Sequence, residues 1–327
     1  MTVGYDLVVL GDANPDVIVR GAPRVLTFGQ AEREVAGAHL TLGGSGALMA
    51  HAAARLGLRT AFVGLVGADR AGDLVLGMLS DGGVDVSGVT RDPDADTAMT
   101  MIFVRPDGDR AMLTFPGALS TFGLEHVDAR VLEGARHVHA ASVFLQPQLS
   151  AALASLLAGA REAGAVTSVD TNDDPSGRWA FDREALLPVV DYLLPNEREA
   201  VALAFGPAGH DDAVAAARSL ATFGPCVVVK CGAAGAFAVD AGRSLQRARL
   251  DAPAHAVVGE IVDTVGAGDT FDAGFVAGVL QGLDLPNALR LAVAAGALSV
   301  RGVGGADGQP DRVEAVRLAE HVRVGEE

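Results

Sequence analysis

Short apolar runs alternate with longer Ala/Leu-rich stretches through most of the chain, and this alternation restricts the fold more than any other feature. The runs are DLVVLG (6–11), TAFVGLVG (60–67), HVHAAS (137–142), AVTSVD (165–170), DYLLP (191–195) and CVVVKCG (226–232). Helical spacing is expected over 46–56, 72–80, 149–163, 197–205, 211–222, 269–281, 286–300 and 310–320. Strands that are apolar on both faces, with helices between them, belong in a parallel sheet covered on both sides. The expected fold class is therefore α/β: a doubly wound, mostly parallel sheet with helices on both faces. In such sheets ligands bind beyond the carboxyl ends of the strands, so the residues just after each run are the ones to inspect.

Two regions break the rhythm. TAMTMIFVRPDGDRAMLTF (97–115) alternates with period two around Pro106-Asp107-Gly108-Asp109, the pattern of a hairpin. DVIVRGAPRVLTF (16–28) and EVAGAHLTL (34–42) look like strands with no helix between them. These pieces are expected to form a small separate sheet at one edge. The chain has no Ser/Gly/Pro linker and no internal repeat, so a single domain over 1–327 is expected, with the small sheet built from about 16–42 and 97–115.

Charge narrows the partners. With 25 Lys plus Arg against 41 Asp plus Glu, the formal charge is −16, which repels a polyanion and argues against nucleic acid. Cys226 and Cys231 fit neither a redox pair nor a zinc knuckle and read as small core residues. No segment reaches the roughly 20 apolar residues that span a bilayer, and the N-terminus lacks a basic leader, so no membrane partner and a cytoplasmic location are expected.

The most informative stretch is IVDTVGAGDTFDAGF (261–275). Gly266 and Gly268 permit a sharp turn and a close approach of backbone to ligand. The first amides of the following helix have no internal partners, and with the helix dipole they form an anion site. Asp269 stands in that first turn. A carboxylate beside an anion hole is what phosphoryl transfer to an alcohol requires. An ordinary capping aspartate in a tight turn has the same spacing, and on the local pattern both readings stand.

DTVGAGDTFDAGF resembles the C-terminal signature of the ribokinase/PfkB family of carbohydrate kinases. GGSGALMAHAAARLGLRTAFVGLVGADRAG (43–72) is similar to the family's N-terminal signature, and LPNEREA (194–200) to its Asn-x-x-Glu motif. The resemblance spans about residues 5–320. It implies a small β-sheet lid over a sugar, and transfer of a phosphoryl group from ATP to a hydroxymethyl group. By that resemblance Asp269 is the general base, and Gly266, Ala267 and Gly268 form the anion hole. Thr264 is similar to a residue that touches nucleotide phosphates. Asn196 and Glu199, one helical turn apart, would order Mg2+ through its waters, Asn196 also facing the nucleotide. An ordinary capping box has the same spacing, and both roles can hold at once. Gly232 and Gly235 resemble a nucleotide-facing loop, with Lys230 either on a phosphate or exposed. Asn14 and Asp16 occupy sugar-binding positions, a pair suited to vicinal hydroxyls. Asp12, Gly43, Gly44 and Gln146 are further sugar-side candidates. Asp263 and Val265, with carbonyls in 300–305, match a monovalent-cation site, K+ in relatives.

Departures from the family pattern are also visible. Leu48 stands where many relatives carry an Asn that contacts the sugar, and Val293 where another Asn lies near the adenine. His137 and His139 share one side of a strand without a third ligand, the pattern of core histidines. Nucleoside kinases share the architecture and offer an apolar shelf, for which Leu48, Met99, Met101, Phe103 and Phe115 are candidates, although lid packing accounts for them as well. A nicotinamide dehydrogenase fits poorly, because Leu48-Met49 replaces the third glycine of its fingerprint. A non-catalytic sugar-binding regulator is disfavoured by the intact GAGD. The substrate partner is a small sugar or nucleoside, and a homodimer is left open.

Overall fold

The computed structural model describes residues 4–326 apart from 108, 210, 211, 241, 243 and 253. Residue 108, in the expected hairpin turn, and residue 211, the expected start of a helix, thus lie outside the described residues. In chain order the strands are β1 (Leu7–Leu10), β2 (Asn14–Arg20), β3 (Gly37–Gly43), β4 (Thr60–Val63), β5 (Leu65–Gly67), β6 (Thr90–Asp92), β7 (Met99–Val104) and β8 (Arg110–Phe115). They continue as β9 (His137–Ala140), β10 (Val166–Val169), β11 (Tyr192–Leu193), β12 (Cys226–Lys230), β13 (Ala236–Val239), β14 (Leu245–Leu250) and β15 (Val322–Glu326). The longer helices are α1 (Ser45–Arg55), α2 (Arg70–Asp81), α3 (Pro147–Glu162), α4 (Glu197–Phe205), α5 (Ala213–Ala221), α6 (Ala267–Leu280), α7 (Leu285–Ser299) and α8 (Arg312–Ala319).

The large sheet runs β15-β14-β13-β12-β11-β10-β9-β1-β4. From β4 to β12 every pairing is parallel, and from β12 to β15 every pairing is antiparallel. Alternation along β1 feeds two cores. Leu7 and Val9 pack with α1, α2, α6, α7 and α8 on one face. Val8 and Leu10 pack with α3, α4 and α5 on the other. Burying each such side chain contributes about 1.5–3 kcal/mol, so the helices are held on both faces by the sheet's own apolar residues.

The segments 16–42 and 97–115 supply a four-stranded sheet in the order β3-β2-β7-β8. The expected strand 16–28 stops at Arg20, because Gly21 takes φ +77°, and pairing resumes only at Gly37. The expected strand 60–67 is broken at Gly64, where a Cβ would lie 2.8 Å from both the Gly11 carbonyl oxygen and the Phe62 ring. Its second half, β5, leaves the large sheet and pairs with β6. The antiparallel strands β13, β14 and β15 were not expected. They are short or carry charge on their outer face (Arg247, Arg249, Arg323), which hides the period-two signal.

His137 and His139 are buried, and each places a ring nitrogen 2.7 Å from the Ser168 hydroxyl. Burial pushes both down to about 3, so they stay neutral as core histidines. Among the described residues no group of three His, Cys, Asp or Glu side chains is arranged to hold a metal ion, and no helix is long and apolar enough to cross a membrane.

Candidate active site

The carboxyl ends of the parallel strands gather most of the candidate residues. Asp12 follows β1, Gln146 follows β9, Asn196 follows β11 and Lys230 ends β12, and Asp170, which follows β10, joins them. The N-terminus of α6 enters the same region, since the Gly268 Cα faces the Lys230 side chain.

Gly266 adopts φ +71°, and a Cβ there would meet the Gly305 Cα at 2.6 Å, so only glycine fits. That turn starts α6. Thr270 returns both its amide and its hydroxyl to the Gly266 carbonyl at 2.9 Å. The Ala267 amide reaches the Thr264 carbonyl at 3.4 Å, while among the described residues the amides of Gly268 and Asp269 have no acceptor. A pair of unpaired amides at a helix N-terminus is an anion site. Asp269, 9% exposed, stands directly in it. Burial pushes its carboxyl up to about 8, and the charge on Asp170 adds to the rise, while Lys230 and the Ser45 hydroxyl oppose it.

Lys230 is not exposed. Its ammonium sits 2.8 Å from Asp170 Oδ2 and 2.9 Å from Asp272 Oδ2, and the three side chains are 12%, 3% and 1% exposed. Asp272 was missed in the sequence. Its position three residues after Asp269 puts it on the same helix face, and that spacing was the available signal. Glu199 lies nearby and is pushed up to about 7 by burial and by Asp170. One lysine therefore serves a group of buried carboxylates.

Asn196 and Glu199 form a reciprocal capping box for α4. Glu199 Oε2 accepts from the Asn196 amide at 2.8 Å, Glu199 Oε1 from Asn196 Nδ2 at 2.6 Å, and Asn196 Oδ1 from the Glu199 amide at 2.9 Å. Both carboxylate oxygens thus already hold the helix start. Asn196 also bridges to Lys230 in the sheet.

A cavity of about 300 Å³ adjoins the anion site. Lys230, Thr264 and Gly268 line its polar end, and Leu250, Ile261, Phe271, Val293 and Val300 its apolar wall. Gly232 and Gly235 close one side. Gly235 takes φ +90° and a Cβ would strike the Ala248 carbonyl oxygen at 2.1 Å, which explains the glycine at that turn. Lys230, Gly232, Gly235 and Thr264 are thus brought together, with Asn196 beside them.

At the other side Asn14 Nδ2 donates to Asp16 Oδ1 at 2.8 Å. A Cβ on Gly43 would overlap the Asp16 carboxyl at 2.1 Å, and one on Gly44, at φ +86°, would meet the Asp12 carbonyl oxygen at 2.7 Å. Burial pushes Asp16 up to about 7, against the Asn14 hydrogen bond. Asp12 and Gln146 already make bonds within the fold. The Asp12 carboxylate accepts from the Ser45 and Gly46 amides at 3.2 and 2.9 Å, because the start of α1 needs an acceptor there. Gln146 Nε2 is spent on the Ala141 and Ser142 carbonyls, and only its buried Oε1 lacks a partner.

The Asp263 side chain joins two loops, accepting from the Val265 and Gly304 amides at 3.1 Å each. Gly304 leads into Gly305, which lies between Gly266 and Leu48. The candidate apolar shelf is not assembled. Strand register puts Met101 beside Leu113 and Val17, and Phe103 beside Ala111 and Val19, on the face opposite Asp16. Met99 and Phe115 share that outer face. Leu48 is buried against Gly305.

Comparison with known proteins gives the family. The sequence model of the pfkB family carbohydrate kinases matches residues 5–312. An ATP-dependent ribose-1-phosphate kinase of Halopiger xanaduensis is 34% identical over 264 residues, 79% of this chain and 79% of that protein. A ribokinase of Haemophilus influenzae is 29% identical over 322 residues, 96% of this chain and 98% of that protein. The structure of Arabidopsis thaliana ribokinase complexed with ribose and ATP superposes with a TM-score of 0.83 at 25% identity, covering 97% of this chain and 99% of that one. The fold is ribokinase-like, the protein is a kinase, and the chain belongs to the pfkB family of carbohydrate kinases.

Proposed function

We propose that this kinase transfers the γ-phosphoryl group of ATP to a hydroxymethyl group of a small sugar or sugar-like molecule, with Asp269 as general base. The observation that carries the reading is the position of Asp269. It lies in the first turn of α6 with the unpaired amides, next to Gly268, which faces Lys230, and the Asp12 charge and the Ser45 hydroxyl both act on its carboxyl. An acceptor hydroxyl held near Asn14, Asp16 and Gly43 would give its proton to Asp269 as its oxygen attacks phosphorus. The amides of Gly268 and Asp269, exposed by the Gly266-Ala267-Gly268 turn, would hold the oxygens of the group in transit, a role worth about 10²–10³ in rate per donor. The apolar wall of the adjoining cavity suits an adenine, and Thr264, Gly232 and Gly235 its phosphates and sugar.

The donor set fits Mg2+ held through water. Glu199 is already engaged by Asn196, and the surplus of buried carboxylates that raises Glu199 and Asp269 is what a divalent cation would relieve. Bound there, Mg2+ would neutralise phosphate charge. Asp263 keeps spare lone pairs on both oxygens, and with the Val265 carbonyl and carbonyls of 300–305 it fits K+. The four-stranded sheet, part of one domain with the rest of the chain, would act as a lid that excludes water as a competing acceptor.

A sugar is favoured over a nucleoside because Met99, Met101, Phe103 and Phe115 lie on the face of the small sheet away from Asp16. That outer face is apolar in two complete rows, Leu40-Val17-Met101-Leu113 and Ala38-Val19-Phe103-Ala111. Leu40, Leu113 and Phe115 are 55%, 56% and 47% exposed. A patch of this kind is rare on a monomer, and an apolar face on a chain of charge −16 suits a second copy of itself, so a homodimer through the small sheets is part of the proposal. ADP release from MgATP, measured over a panel of sugars and nucleosides, tests the reading. Acceptor-dependent release with a sugar supports it. Release only with nucleosides moves the substrate class, and no release with any acceptor refutes it.

A further inference from the structure

Asp272 has no part in the roles assigned so far, yet it is among the most completely buried carboxylates in the protein. Its Oδ2 holds Lys230, and its Oδ1 has no hydrogen-bond partner among the described residues. Burying a carboxyl with an unpaired oxygen is costly, and apolar replacement of such a pair is often neutral or stabilising, so stability alone does not explain the arrangement. Its place does. An ammonium has three donors. Asp170 and Asp272 take two, and among the described residues the third has no acceptor. A Cβ on Gly268 would stand 3.7 Å from the Lys230 ammonium, and the same lysine lines the nucleotide-sized cavity. The free donor therefore sits beside the unpaired Gly268 amide.

We propose that Lys230 is a catalytic residue whose remaining N–H binds an oxygen of the phosphoryl group in transit, and that Asp272 is the positioning residue that aims it. The proposal rests on the kinase reading of Asp269 above. In the step, the acceptor oxygen–phosphorus bond forms, the bond from phosphorus to the β-phosphate oxygen breaks, and the acceptor proton passes to Asp269. Lys230 keeps its proton throughout and supplies charge. Burial pushes Asp272 well up, while the Lys230 charge holds Asp170 down against its own burial, so both carboxyls depend on the same lysine. A lysine paired in this way is fixed before the nucleotide arrives, the arrangement that costs no reorganisation during reaction.

Three variants separate this role from a purely structural ion pair: Lys230→Met, Asp272→Asn, and the double change Lys230→Met with Asp272→Leu. Melting temperature, ATP affinity and acceptor-dependent kcat are measured for each. Lys230→Met should lower kcat by about 10²–10³, as for other lost donors to a developing charge, with a much smaller change in ATP affinity. Asp272→Asn should lower kcat in the same direction but by less. The double variant should regain part of the melting temperature lost in Lys230→Met, since only Asp170 is then left without its cation, while keeping the kcat loss. A double variant with wild-type kcat, or Asp272→Asn with unchanged kcat, would overturn the proposal. The phosphorus resonance of the bound ATP γ-phosphate supplies a second readout that needs no turnover. It should shift between wild type and Lys230→Met, and an unchanged resonance would also overturn the contact. Failure of the kinase reading looks different, because wild type itself would then release no ADP with any acceptor.

Discussion

Gly266 and Gly305 are packed backbone to backbone: a methyl group on Gly266 would lie 2.6 Å from the Gly305 Cα and 3.0 Å from its carbonyl oxygen. On its other side Gly305 meets Leu48, which a Cβ at 305 would approach to 2.5 Å. The loop after α7 is thus wedged between α1 and the turn that exposes the anion-site amides, and Asp263 ties it down through the Gly304 amide at 3.1 Å. The shape of the anion site depends on residues some forty positions away in the chain.

Two glycine substitutions follow from this with opposite signatures. Gly305→Ala overpacks the wedge and should destabilise by about 1–3 kcal/mol, with activity falling alongside. Gly268→Ala meets nothing closer than Lys230 at 3.7 Å, so it should fold as wild type or slightly more stably. Its methyl group nevertheless occupies the space above the unpaired amide, and turnover should fall by about 10². Calorimetry with steady-state kinetics on both variants checks the contrast. A Gly268→Ala enzyme of normal activity would move the phosphoryl group elsewhere.

The buried carboxylates make a stability prediction. Asp16 and Glu199 are pushed up to about 7 and Asp269 to about 8, by burial first in each. Each binds a proton in the folded protein that the unfolded chain has lost above about pH 4. The stability this contributes is present below about pH 4 and is lost as pH rises through 7 and 8, at up to about 1.4 kcal/mol per pH unit for each group. Asp6, held down at about 2 chiefly by Arg59, acts only below that window. The ligand-free protein should therefore melt at a lower temperature at pH 8.5 than at pH 5. Asp269→Asn should flatten the slope. A melting temperature that rises over this range would contradict the assigned burial.

The fold was legible where local and global signals agree. The parallel strands and their helices declare themselves through unbroken apolar runs such as Val227-Val228-Val229, buried on both faces. The antiparallel edge was not legible, because β14 alternates Arg247 and Arg249 with Ala248 and reads as a polar segment. At the site, the residues carried on glycine turns were visible, since Gly266, Gly43 and Gly235 each mark a close backbone approach. Asp272 was hidden because its partner, Lys230, is 42 positions distant. The bond from Asp12 to the start of α1 was hidden, because nothing in its neighbourhood reveals that a helix 33 residues on takes its carboxylate.

A monovalent cation should matter. With Asp263 joining the Val265 and Gly304 amides, K+ beside it would steady the loop that shapes the anion site. Activity in K+ should exceed activity in tetramethylammonium at equal ionic strength, and Asp263→Ala should abolish the difference. Equal rates in the two salts for the wild-type enzyme would remove the cation from the account.

The outer face of the small sheet should control assembly. Replacing Leu113 and Leu40, both more than half exposed, with Lys opposes like charges across the proposed contact. Sedimentation should show a dimer for wild type and a monomer for the double variant. A wild-type monomer at micromolar concentration would dismiss the interface.

Asp269 is assigned the proton of the acceptor hydroxyl. The most direct measurement compares wild type and Asp269→Asn for acceptor-dependent ADP formation and, by calorimetric titration, for ATP binding. The expected result is a loss of about 10²–10⁴ in kcat with ATP affinity nearly unchanged. An Asp269→Asn enzyme that keeps more than about a tenth of wild-type turnover, where removal of a general base costs at least about 10², would contradict it.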